Sequence, residues 1–218
     1  MFEYFQTTGL IIVWTVFLSY LTAIVAYVLT RKSKIIARWV DVLLVHQPAL
    51  SLGVLAIFLS YKLFDLNLLF PVHLLTRWEE LVLSAIVPAI ILNLASGLTL
   101  NIFKTTDQQY NYWRDKTFFQ TRRALGLDPT LGIRRLVIIK SLSSSWASSI
   151  TWVFGELLII ESVFNAPGLG LAIWHQARTR EMNAMLVTAL WFFLIYFTIY
   201  LLNLLLHSWL GKKLEGYS

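Results

Sequence analysis

A chain of 218 residues that is 57% hydrophobic and only 14% charged, with a mean hydropathy of +0.66, lies outside the composition of a water-soluble globular domain. Its formal charge of +6 does not make it a nucleic-acid binder, because the basic residues punctuate apolar segments and form no stripe with interleaved stacking aromatics. The absence of cysteine excludes disulfides, thiolate metal sites and a thiol nucleophile.

The first apolar segment, Gly9 to Thr30, carries no charged residue and is long enough to cross a hydrocarbon core of ~30 Å at ~1.5 Å per residue. Nothing before Gly9 is basic, and Arg31-Lys32-Ser33-Lys34 follows in place of a small-residue cleavage site; both features favour a retained span over a signal peptide. A second run, Val42 to Tyr61, has His46 and Pro48 in its first half. Proline removes a helical hydrogen bond and commonly kinks a membrane helix. His46 is a candidate pathway residue, with a packed or interfacial histidine as the simpler reading, and Lys62 to Glu80 is expected to be a short loop of mixed charge.

A third span, Leu81 to Phe103, contains Pro88 and then Asn93, Ala95, Ser96 and Gly97. Small and polar residues on one helix face allow close approach and interhelical bonding, so this face is expected to point into a bundle. The interval 104–140 is then predicted to be a basic loop, with a helix ending near Leu125, a left-handed terminator at Gly126, a cap at Asp128 and Pro129 in the first turn of the next helix. From its own residues this corner fits either an interfacial helix held by anionic lipid or a docking element.

A fourth span, Ser141 to Ile160, opens with a serine-rich run and carries Glu156; a carboxylate at membrane depth should face protein or water rather than lipid. Pro167, Gly168 and Gly170 break the segment, and a short outer loop with Arg178, Arg180 and Glu181 is expected before a last span, Met182 to Leu210. Counting Lys and Arg on alternate sides of five spans gives 14 against 4. The positive-inside bias then places the N-terminus outside and the corner and C-terminus in the cytoplasm. The expected fold is an all-α integral membrane protein, one domain over residues 1–218 with a bundle of about five transmembrane helices.

Thr121, Arg123, Ala124, Gly126, Leu127 and Arg135 resemble the cytoplasmic coupling loop of permease subunits of binding-protein-dependent ABC importers, nearest the dipeptide, oligopeptide and nickel branch. Arg122 and Leu125 depart from that pattern, and Gln120 replaces the acidic residue of the broader signature. Glu161, Val163, Phe164, Pro167, Gly168, Leu169 and Gly170 resemble the family's E-x-V-F-x-x-P-G-L-G, and Pro48 and Pro88 fall where the branch has prolines. The similarity runs from about Gly9 to Lys213 and implies a member shortened at its N-terminus.

The resemblance implies a bacterial inner-membrane permease subunit forming half of a translocation pathway for peptides, or for nickel or other metal complexes. Its implied partners are a second permease subunit, cytoplasmic ATPase subunits, an extracytoplasmic substrate-binding protein and membrane lipids. This chain carries no phosphate-cradling loop, since Gly211-Lys212-Lys213 lacks the upstream glycine and the Ser/Thr. ATP and Mg would therefore sit on the ATPase, with no cofactor, metal or catalytic residue expected here.

Under that resemblance, Arg123, Ala124, Gly126, Leu127, Asp128, Pro129, Arg134 and Arg135 would couple to the ATPase. Glu161, Pro167, Gly168 and Gly170 would form an outer gate or turn, and His46, Pro48, Asn93 and Glu156 are pathway candidates. A non-transporting scaffold or regulatory subunit and an exporter subunit on the same fold are the alternatives. An enzyme using Glu156, Glu161 and the histidines His46, His73, His175 and His207 lacks any HExxH or GxSxG spacing.

Overall fold

The computed structural model describes residues 2–32, 48–64, 68–70, 78–126 and 129–215. Every regular element among the described residues is an α-helix: α1 Phe2–Lys32, α2 Ala49–Phe64, α3 Trp78–Ser84, α4 Ile86–Ala95, α5 Leu98–Arg114, α6 Thr117–Ala124, α7 Pro129–Val163, α8 Leu169–Thr179 and α9 Met182–Glu215. An α-helix satisfies its own backbone polar groups, the requirement that hydrocarbon imposes on any spanning segment. Within α1, α7 and α9, the stretches Tyr4–Leu29, Val137–Val163 and Met182–Trp209 are long and apolar enough to cross a membrane. Leu81–Ala95 with Leu98–Arg114 makes a fourth if this broken pair is counted as one span.

The second expected span is described only from Pro48, which stands just before α2 and accepts the Leu52 N–H on its carbonyl at 3.1 Å. Pro48 thus precedes the described helix and introduces no kink into it. The third expected span is not continuous. Pro88 has no N–H to return to the carbonyl of Ser84, where α3 ends, and Gly97, at φ +67°, ends the helical path after α4.

The interval 104–140, expected as a basic loop holding a helix-break-helix corner, is mainly helical, and so is the interval after Gly168. Residues 104–140 hold the end of α5, all of α6 and the first turns of α7, and the interval after Gly168 holds α8. Charged residues do not end a helix; a breaker does. From Pro129 to Val163 no internal proline interrupts the hydrogen-bond ladder, so α7 carries its polar start and its apolar span as one rod.

Contacts divide the chain into two compact units. The first comprises Met1–Leu18, His46–Gly97 and Thr151–Thr198; the second comprises Ser19–Val45, Leu98–Ile150 and Ile199–Ser218. In the first, Ile11, Leu92, Leu157, Ile160, Phe164 and Leu169 are buried. The Phe154 ring meets Phe192 and Tyr196 edge-on at 5.4 and 5.3 Å. The face carrying Asn93, Ala95 and Ser96 is buried as expected.

The second unit is organised by the serine-rich run of α7. Ser141, Ser143, Ser145 and Ser149 are all buried. Asn101 of α5 donates to Ser149 Oγ at 2.6 Å, and Thr105 Oγ1 lies 2.6 Å from Ser145 Oγ. Trp146 Nε1 donates to Ser19 of α1 at 3.0 Å, while Ser143 meets Asn203 of α9 at 3.4 Å. Because lipid is as apolar as leucine, such bonds and the close approach of small side chains hold membrane helices together.

Asn101→Leu removes the donor to Ser149 and should cost about 1 kcal/mol. The expected result is a lower SDS-unfolding midpoint in mixed micelles, with Gly155→Ala, where an added Cβ meets nothing within 4 Å, as the neutral control. An unchanged midpoint for Asn101→Leu would mean the serine run is not the fastening that its geometry suggests.

Candidate functional site

The first candidate site is the turn between α7 and α8. Helix α7 ends with Asn165 in the left-handed region at φ 51°, with Ala166 N–H donating to the Glu161 carbonyl at 2.9 Å and Asn165 N–H to Ser162 at 3.4 Å. These bonds form a Schellman motif, and asparagine tolerates its left-handed position. Pro167 follows, where a helix cannot continue, and Gly168 is the extended N-cap of α8.

A new helix beginning here presents unpaired N–H groups in its first turn. Side chains satisfy them. Leu169 N–H donates to Thr8 Oγ1 at 2.9 Å and Gly170 N–H to Glu161 Oε2 at 2.6 Å; Leu171 N–H also reaches the Glu161 carboxylate. Thr8 in turn donates its hydroxyl to Glu161 Oε1 at 2.7 Å. Thr8 and Glu161 are both fully buried.

This arrangement explains the two glycines. A Cβ on Gly168 would overlap the Glu161 carboxyl group, and one on Gly170 would lie 2.8 Å from both Glu161 Oε2 and the Leu158 Cα. The structure therefore brings Glu161, Gly168 and Gly170 together around Pro167, with the carboxylate serving as a helix cap. Thr8, which completes the cap, carries no local sequence signal; a pairing across 153 positions has no periodicity to reveal it.

The second candidate site is the basic corner. Helix α6 ends at Ala124, and Gly126 adopts φ +71° with its N–H donating to the Arg123 carbonyl at 3.1 Å. The expected left-handed terminator is thus in place. Leu127 and Asp128 lie outside the described residues, and α7 begins at Pro129 as expected. Arg123, Ala124 and Gly126 are exposed, and Leu125 is 69% exposed. The corner therefore offers an apolar tip beside a cation.

Lys116 Nζ and Lys140 Nζ flank the Tyr112 ring at 4.8 and 5.9 Å, cation–π contacts that link the start of α6 to α7. Arg134 and Arg135 do not belong to the turn itself. They lie further along α7, exposed, and line a cavity with Tyr20, Ile24, Ile138 and Ile139.

Of the pathway candidates, Asn93 is 3% exposed, Pro48 is exposed ahead of α2 and His46 lies outside the described residues. Glu156 is half-buried, and its Oε2 is buried with no hydrogen-bond partner among the described residues. None of Asn93, Pro48 and Glu156 lines the cavity of Arg134 and Arg135.

Glu161→Ala leaves the Gly170 and Leu171 N–H groups without their acceptor and should cost about 3 kcal/mol, at ~1–3 kcal/mol per buried unmade bond. Glu161→Gln keeps one carbonyl acceptor and should cost about half as much. Gly168→Ala should be at least as damaging as Glu161→Ala, whereas Gly155→Ala should leave the melting temperature unchanged. Thermal unfolding of the full chain in detergent reads this ranking; a wild-type melting temperature for Gly168→Ala would contradict the cap.

No protein-family model matches the chain, and no curated protein matches it, so the role of these residues rests on their own geometry and chemistry.

Proposed function

We propose that this protein is the permease subunit of an ABC transporter, a five-span bundle forming half of a translocation pathway for peptides or metal complexes. One observation carries the reading: Glu161, Gly168 and Gly170, the residues of the most specific resemblance, work as one device. The carboxylate accepts the Gly170 N–H at 2.6 Å and occupies the space that side chains at both glycines would need. A chance likeness in spelling supplies no reason for these residues to close on one another.

In this reading the exposed corner at Gly126 is the element that a separate ATPase grips. ATP and Mg act on that partner, which moves α6 and α7 and shifts the spans between inward-open and outward-open arrangements. Arg123 supplies a fork of donors for acidic groups, Leu125 an apolar tip, and Pro129 the start of the helix that carries the motion. A second permease subunit completes the pathway. The corner lies in the cytoplasm and the Glu161 turn at the outer face, as the 14-to-4 distribution of Lys and Arg favours.

Valine at Gly126 would have to hold a left-handed backbone at ~1–2 kcal/mol of strain, while asparagine adopts it readily. Gly126→Val should therefore lower the ATPase recovered with the full chain from detergent-solubilised membranes about tenfold. Gly126→Asn should recover near-wild-type amounts, and both variants should insert in the membrane normally. A wild-type chain that purifies without any ATPase, or a Gly126→Val chain that brings it down undiminished, would sink the proposal.

A further inference from the structure

The basic residues of the central stretch divide into two environments. Arg123 sits at the exposed corner with Leu125, whereas Arg134 and Arg135 line a cavity of about 520 Å³ together with Tyr20, Ile24, Ile138 and Ile139. This cavity lies wholly within the second unit. Its walls have a simple origin: Ile138 and Ile139 follow the two arginines by one helical turn on α7, and Tyr20 and Ile24 form an i, i+4 pair on α1.

The cavity is therefore amphipathic along its length. Tyr20 and Ile24 fall inside the candidate span Tyr4–Leu29, and Ile138 and Ile139 fall inside Val137–Val163. The arginines come just before that second span begins. No hydrogen bond or ion pair holds either guanidinium among the described residues; Arg114, by contrast, has Asp115 at 3.6 Å. Two like charges bordering one cavity repel each other unless an anion lies between them, and the wall below them offers only hydrocarbon and a tyrosine.

We infer that this cavity is a binding site for an anionic membrane phospholipid, with the headgroup phosphate between Arg134 and Arg135 and an acyl chain along Ile24, Ile138 and Ile139. The charge pair selects the acidic headgroup. The continuity of the arginine pair with span-depth isoleucines selects a lipid over a soluble anion, because a free phosphate leaves the apolar wall unfilled. Guanidinium also suits the role geometrically, since its planar fork can bind two phosphate oxygens at once. The site gives Arg134 and Arg135 a task separate from ATPase docking, and it stands whether or not the chain is a permease.

The full chain is reconstituted in nanodiscs containing phosphatidylglycerol and phosphatidylcholine, and the lipids retained after gentle detergent extraction are counted by native mass spectrometry. A juxtamembrane arginine contributes ~1 kcal/mol towards an anionic lipid surface, so the pair should favour phosphatidylglycerol by at least tenfold. The double substitution Arg134→Gln/Arg135→Gln should abolish the preference. Arg134→Lys/Arg135→Lys should keep most of it, and Arg122→Gln/Arg123→Gln should leave it untouched.

A photo-crosslinking residue at Tyr20, introduced with both arginines intact, tests the same site without disturbing its charge and should capture phosphatidylglycerol. Equal retention by wild type and the double glutamine variant would overturn the site. Displacement of the lipid by inorganic phosphate at millimolar concentration, or capture of a protein chain in place of lipid at Tyr20, would overturn its assignment to a phospholipid.

Discussion

The Glu161 carboxylate is the constraint around which the first unit is arranged. A helix that starts inside a membrane protein cannot leave its first N–H groups to water, and each unmade bond there costs free energy. One carboxylate takes two of the α8 donors, and Thr8 takes a third. The consequences spread outward. Gly168 and Gly170 must lack side chains, Asn165 must turn left-handed to bring Ala166 back to Glu161, and α1 must present Thr8 at one register. Phe70 N–H then donates to the Phe164 carbonyl at 3.0 Å, and Gly53 of α2 approaches so closely that an added Cβ would lie 2.9 Å from Val163 Cγ1.

The second unit solves the same problem in another way. Instead of one buried carboxyl group, it spreads interhelical bonding over Ser141, Ser143, Ser145, Trp146 and Ser149, which meet α1, α5 and α9. Each such bond is worth ~0.6 kcal/mol on average in a membrane, so no single one decides the packing. The contrast has a physical basis. A helix start concentrates several unsatisfied donors at one point and needs a strong acceptor, whereas a helix–helix seam needs only many weak, short contacts between small side chains.

What the sequence made legible was what local chemistry dictates. Gly126 read as a left-handed terminator and Pro129 as a first-turn residue, because turn and cap preferences depend on a few neighbouring residues. The buried face of Asn93, Ala95 and Ser96 was legible for the same reason. Glu161 and its glycines could be grouped by likeness to a motif as an outer gate or turn, yet the side-chain cap that builds the turn was not readable from it. Thr8 could not be foreseen, because the bond depends on where α1 is placed, which no local pattern encodes. Helix α8 and the unbroken run of α7 from Pro129 into the fourth span were hidden by charge, which marks where a segment meets water but says nothing about whether its backbone is helical.

In the sequence, Arg122, Arg123, Arg134 and Arg135 stand together in one basic stretch, open either to anionic lipid or to a docking partner. On helices they are sorted: Arg123 ends α6 beside an exposed leucine, while Arg134 and Arg135 share a face of α7 with isoleucines that line a cavity against α1. A partner that must dock and release is served by an exposed tip with few contacts. A lipid that must stay is served by paired charge above a hydrocarbon wall. Under the two proposed roles, a lipid site on α7 and a docking corner at Gly126 would separate holding from moving, with the left-handed backbone at Gly126 as the point at which the two tasks part.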